Sequence, residues 1–225
     1  MSRARILGAL AALCWILFAA TGVIRLLAGS AGLWEGLMRR YAPPEESRLP
    51  EAEYPAVARL VTDYLTGRTE TFQHSFAGPD GTEYLCFQAH EQAHMADVRG
   101  LIRLDTAVMI ASLLAGLAAT AAVIRLHRQT GGEALRACAA GVRTLLTGLA
   151  VLATALLAWA AVDFNGFFTA FHRVAFRNDL WLLNPRTDLL IRLMPEKLFR
   201  VLGLLGLVLV LPAPAGLALW AWRRR

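Results

Sequence analysis

The run Phe87-Gln88-Ala89-His90-Glu91-Gln92-Ala93-His94-Met95-Ala96-Asp97-Val98-Arg99 is followed within a few residues by the apolar segment 106–124. A titratable helix that runs straight into a segment of membrane-crossing length places its chemistry at a membrane surface. In a helix, three- and four-residue spacings stack Glu91, His94 and Asp97 along one side and set His90 one turn before His94. Groups so placed perturb one another's pKa. The bland alternative is a solvated helix start whose charges only keep the segment in water.

Three more apolar runs lie outward from this stretch, at 6–27, 144–162 and 198–222, each near the roughly 20 residues a helix needs to cross hydrocarbon. The first is long for a signal peptide and no small-x-small site closes it, so it reads as a membrane anchor. Ala12-Leu13-Cys14 is not a lipobox, because the residue before the cysteine is large. Pro212 and Pro214 kink the far end of the last run. The expected fold class is therefore an all-α integral membrane protein of four transmembrane helices, with one membrane domain over 1–225.

Composition agrees with that class. The chain has 225 residues and a 56% hydrophobic share, high for a soluble domain. Its net charge of +6 does not indicate nucleic acid, since the basic residues gather at the ends of apolar runs. Three scattered cysteines, Cys14, Cys86 and Cys138, make no disulfide framework, and Cys86 in Tyr84-Leu85-Cys86-Phe87 reads as a packed thiol. The segments holding Arg3 and Arg5, then Arg125, Arg128, Arg136 and Arg143, then Arg223, Arg224 and Arg225 are strongly basic. Residues 28–104 carry eleven acidic and seven basic residues. The positive-inside rule then puts both termini in the cytoplasm and the polar segments 28–104 and 163–197 outside.

These two outer segments form the expected cap. Val57, Leu60, Val61, Tyr64 and Leu65 fall at helical spacing before Gly67, which predicts a helix over 55–66. Residues 71–76 and 83–87 flank Gly78-Pro79-Asp80-Gly81, a hairpin signal. In the second outer segment Phe168, Phe171, His172 and Phe176 share a helical face, and Trp181 suits the headgroup layer. Asn184-Pro185 predicts a helix start with Asp188 in its first turn, followed by the amphipathic run Leu189-Leu190-Ile191-Arg192-Leu193.

Two chemistries compete for the histidines. His90-Glu91-Gln92-Ala93-His94 matches H-E-x-x-H, in which two imidazoles one turn apart hold zinc and the glutamate activates water; a third ligand would have to come from Asp97 or His172. The other pairs His94 with His172, one from each outer segment, as acid and base near neutral pH. Asp97 and Glu91 would favour charged His94, and Arg173 and Arg177 would disfavour charged His172. On that reading His172 is the neutral base and His94 the proton donor or oxyanion stabiliser.

The pattern Glu91-x-x-His94-Met95-x-Asp97-Val98, with Phe171-His172-x-x-x-Phe176-x-Asn178-x-x-Trp181-x-x-x-Pro185-x-x-Asp188-x-Leu190-Ile191-x-x-x-Pro195-x-x-x-Phe199, resembles the bacterial lipoprotein intramolecular transacylase family, Lit. The resemblance covers nearly the whole chain, and the second motif is the specific one. It implies an acyltransferase of the bacterial cell membrane, active at the outer face, that moves the sn-2 acyl chain of a lipoprotein's diacylglyceryl-cysteine onto the cysteine α-amine. His94 and His172 would be catalytic. Glu91, Asp97, Arg173, Asn178, Trp181 and Asp188 would orient groups or stabilise the oxyanion. The partners would be the diacylated lipoprotein N-terminus and membrane phospholipid, with no metal or soluble cofactor. A zinc-dependent membrane hydrolase and a non-enzymatic lipid-binding membrane protein are the alternatives.

Overall fold

The computed structural model describes residues 3–78 and 81–224. In chain order it comprises α1 (Arg3–Ala28), α2 (Ala31–Tyr41), α3 (Pro44–Ser47), a 3-10 turn (Glu51–Glu53) and α4 (Tyr54–Thr66). Next come β1 (Ser75–Ala77), β2 (Glu83–Leu85), α5 (Ala89–Thr130), α6 (Gly132–Val162), α7 (Phe164–Ala175), α8 (Leu189–Leu193), α9 (Glu196–Val210) and α10 (Pro212–Trp222). Among the described residues four stretches are long and apolar enough to cross a membrane: α1, α5, α6, and α9 with α10 taken together. Most of their apolar side chains are not buried in protein, as lipid-facing surfaces require. The chain is an all-α integral membrane protein with one two-stranded sheet.

The chain packs as two compact units, one of residues 1–24, 105–162 and 205–225, the other of residues 25–104 and 163–204. In the first unit α1 and α6 approach closely at two glycines. A Cβ on Gly8 would stand 2.6 Å from Cys138 Cα, and one on Gly141 would run into the Arg5 carbonyl. Absence of a side chain is what lets the two backbones touch. Gly141→Ala is therefore expected to cost about 1–3 kcal/mol, read as a lowered thermal unfolding midpoint; an unchanged midpoint would show that this contact is not tight. Arg143 donates to the Ala221 carbonyl at 2.6 Å and ties α6 to the end of α10. Leu211 lies between α9 and α10, where the two prolines predict a kink.

In the second unit α2 and α4 enclose the core: Trp34, Leu37 and Met38 meet Tyr54, Val57, Val61 and Leu65. Helix α4 ends as its sequence predicts, on Gly67 at φ +83°. The strands pair antiparallel with Phe76 opposite Tyr84. They are shorter than the apolar runs suggest, and Pro79 and Asp80 of the predicted turn lie outside the described residues. Phe72 and Phe87, which flank the hairpin, pack in the core with ring centroids 4.5 Å apart and planes tilted by 38°. Cys86 is buried beside them, and burial pushes its thiol up to about 12, so it is packing rather than a nucleophile.

One local expectation is corrected. Asn184-Pro185 does not open a helix; α8 begins at Leu189 with Asp188 as the residue before it. The Asn184 carbonyl instead accepts the amides of Thr187 and Asp188, and its side chain accepts that of Arg186, closing a turn.

Candidate active site

At 1.5 Å per residue the 42 residues of α5 extend about 63 Å, twice a hydrocarbon core. Its first four turns hold Glu91, Asp97, Arg99 and Arg103 and lie beyond the apolar part. They belong to the second unit, as does α7, so the two polar segments build one body.

Within it His94 of α5 and His172 of α7 are both buried, 7% and 8% exposed, with ring centroids 6.2 Å apart. Aromatic side chains hold them. Phe176 packs edge-on to His94 at 5.1 Å, while His172 lies against Phe168, Phe171, Phe176 and Trp181 at 4.2 to 5.6 Å. Asp163 starts α7 by accepting the Gly166 amide at 2.9 Å, which sets the helix that delivers His172.

The hydrogen bonds distinguish the two rings. His172 Nδ1 donates to the Phe168 carbonyl at 2.7 Å, an acceptor only, which assigns the proton to Nδ1 and leaves Nε2 as the basic nitrogen. His94 Nδ1 is buried without a hydrogen-bond partner among the described residues. A buried polar atom of this kind calls for a partner, either water or a bound molecule. Burial lowers both imidazoles below their usual range; for His94 the shift is large, to about 4, with the neighbouring His172 adding to it.

That corrects the expectation of a charged His94. Asp97 acts with the expected sign but is outweighed by burial. Glu91 does not face the ring. Its carboxylate, fully buried, accepts the backbone amides of Leu190 at 2.7 Å and Gln88 at 2.8 Å. Both imidazoles are therefore neutral at pH 7.

The other sequence candidates fall into two groups. Asn178 donates to Asp97 at 2.8 Å and accepts the Leu180 amide, so one of its two amide hydrogens is committed to fixing the loop after α7. Arg173 and Arg177 are exposed and line a cavity of about 490 Å³ with Phe176, Asn178, Asp179 and Trp181. Phe176 and Trp181 are the same rings that pack on His172. Asp188 belongs with Glu91 instead. It accepts from His90 Nε2 at 2.9 Å, from the Thr187 hydroxyl at 2.6 Å and from the Asn184 amide at 2.8 Å.

These bonds bear on the H-E-x-x-H reading. Its first histidine is turned to Asp188 and its glutamate to two amides, and no group of three potential ligands forms among the described residues. The pattern here builds a structural clamp. Sequence reasoning gave His90 no partner, and it also passed over Arg99, whose guanidinium forms a two-point pair with Glu70 at 2.9 Å and lies 4.9 Å from the centre of the Tyr64 ring. Both pairs join residues far apart in sequence, which leaves no local signal.

A chain with four stretches of membrane-crossing length among its described residues, and two buried imidazoles whose ring centroids lie 6.2 Å apart, is an integral membrane protein with a histidine pair beyond its apolar spans. The sequence pattern of the lipoprotein intramolecular transacylase Lit family matches residues 9–199, and the chain belongs to that family. No curated protein sequence matches it. Among solved structures, the membrane integral lipoprotein intramolecular transacylase Lit from Bacillus cereus shares the fold. Its TM-score is 0.71 at 17% identity, over 95% of this chain and 92% of that one. Two variants of the Bacillus cereus protein, with a histidine replaced by arginine or by alanine, give TM-scores of 0.64 and 0.66 at 18% identity. They cover 97% of this chain and 89% and 92% of theirs.

Proposed function

We propose that this protein moves the sn-2 acyl chain of a lipoprotein's diacylglyceryl-cysteine onto the α-amine of the same cysteine, leaving a lyso-form lipoprotein. One observation carries the reading: two neutral imidazoles 6.2 Å apart, one with a free basic nitrogen and one with an unpartnered buried nitrogen.

The substrate's α-amine has a reference pKa of about 7.7–8.0, so its neutral form is accessible near pH 7. As the nitrogen attacks the sn-2 ester carbonyl, a C–N bond forms and His172 Nε2 takes the amine proton. His94 meets the tetrahedral oxygen as a neutral hydrogen-bond partner, with Arg173 or backbone amides adding positive potential. Collapse breaks the C–O bond to glycerol, and the imidazolium at His172 returns the proton to the departing oxygen. Protons balance, so the cycle needs no co-reactant. Amine and ester share one molecule, so holding them in register supplies much of the acceleration.

The charge asymmetry along the chain supports cytoplasmic termini, with the paired histidines at the outer face of the cell membrane. Co-expression with a diacylated lipoprotein tests the whole reading by mass spectrometry of its N-terminal peptide. The expected product carries one O-acyl and one N-acyl chain. A peptide that keeps two O-acyl chains and a free amine would refute the activity.

A further inference from the structure

Helices α1 and α5 pack tightly at one level of the first unit and part at another. Trp15 Nε1 donates to Thr120 Oγ1 at 3.0 Å, and a Cβ on Gly116 would rest 3.4 Å from Cys14 and Trp15. Three turns nearer the start of α1 a cavity of about 450 Å³ opens between Arg3 and Leu7 on one side and the stretch from Ala118 to Gln129 on the other. Ala118, Ala121 and Ala122 keep its floor shallow and apolar, while Arg3, Arg125 and Gln129 supply polar groups.

We propose that this furrow is a binding site for an anionic phospholipid, its phosphodiester held between Arg3 and Arg125 and an acyl chain laid along the alanines. Neither arginine has an ion-pair or hydrogen-bond partner among the described residues, and both are exposed. Other arginines are committed: Arg143 to a carbonyl, Arg39, Arg68 and Arg99 to carboxylates. No lining residue is acidic. Two uncompensated guanidiniums above an apolar furrow on a membrane helix pair match a headgroup that bears net negative charge and a hydrocarbon tail. A zwitterionic choline lipid offers the same phosphate, but its own cation is repelled by the arginines. Free phosphate has nothing to lay along the alanines.

The test uses the full chain in lipid nanodiscs of phosphatidylcholine with and without phosphatidylglycerol. Native mass spectrometry of the released protein is expected to show phosphatidylglycerol retained over phosphatidylcholine by about tenfold or more, following the weight of each basic residue near a headgroup. The double variant Arg3→Gln/Arg125→Gln is expected to lose this preference while keeping acyl-transfer activity. Arg128→Gln/Arg136→Gln, which removes the same charge outside the furrow, is expected to keep the preference. Equal retention of the two lipids by the unmodified protein would overturn the site, and that measurement does not depend on any variant folding. Equal loss in both double variants would reduce the effect to general surface charge and overturn it too. Inorganic phosphate that stabilised the protein in pure phosphatidylcholine as well as the anionic lipid does would remove the lipid from the assignment.

Discussion

Replacing His172 is expected to slow acyl transfer by about 10²–10⁴-fold, the usual worth of a positioned general base. His172→Phe is the informative substitution. The position already lies among Phe168, Phe171, Phe176 and Trp181, so a phenyl ring fills the space and keeps the packing while removing Nε2. Rate and unfolding midpoint should then separate, with the first collapsing and the second nearly unmoved. Unmodified protein supplies a second readout. A base acts only when neutral, and burial holds the His172 pKa below its ordinary value near 6.5. The substrate α-amine must be neutral too, so a first acid limb lies at its pKa of about 7.7–8.0, and His172 adds a second, steeper fall below its ordinary value of about 6.5. A second fall that survives in His172→Phe, or a variant rate within about tenfold of the parent, would remove the base from His172.

What the sequence made legible follows from how local each signal is. The membrane helices and α4 rest on apolar length, helical spacing and a stop glycine, all of which are read within one segment. Helix α2 is not anticipated, although Trp34, Leu37, Met38 and Tyr41 fall at the i, i+3, i+4 and i+7 spacing of one helical face and pack into the core. Asn184-Pro185 carries the letters of a helix start, but the Asn184 carbonyl closes a turn first and α8 waits for Leu189. The titration of His94 fails for a different reason. Glu91 lies three residues before it in the sequence, which suggests a charge partner, yet its oxygens point at amides and burial decides the outcome. Proximity along a helix fixes which residues share a face, whereas the sign of a pKa shift depends on where each polar atom is aimed. The close approach of α1 and α6 at Gly8 and Gly141 has no sequence signature without the partner helix in view.

Glu91→Gln, nearly isosteric with the parent, should still destabilise the protein, though less than Glu91→Ala. One carboxylate starts two helices here. Oε2 accepts the amide of Gln88, the residue before α5, in the manner of a capping box, and Oε1 accepts the amide of Leu190 in the first turn of α8. Both amides are donors, so the site requires two acceptors on one side chain. Glutamine offers one oxygen and one NH2, which turns one of the bonds into two donors facing each other in a fully buried place. A buried donor left without an acceptor costs about 1–3 kcal/mol; alanine orphans both amides and opens a cavity, for about 3–5 kcal/mol. Asp188 stands just before Leu189 and is bound to His90, so loosening the α8 start should also free that pair. Chemical or thermal unfolding in detergent measures the loss. Transfer rate at a temperature where the variant is still folded measures whether His94, three residues along the same helix, has shifted with its anchor. Should Glu91→Gln unfold with the parent's midpoint, the carboxylate is not the fastening between these two helix starts, and the shared geometry of α5 and α8 must come from the apolar core around Met95, Leu190 and Leu193 instead.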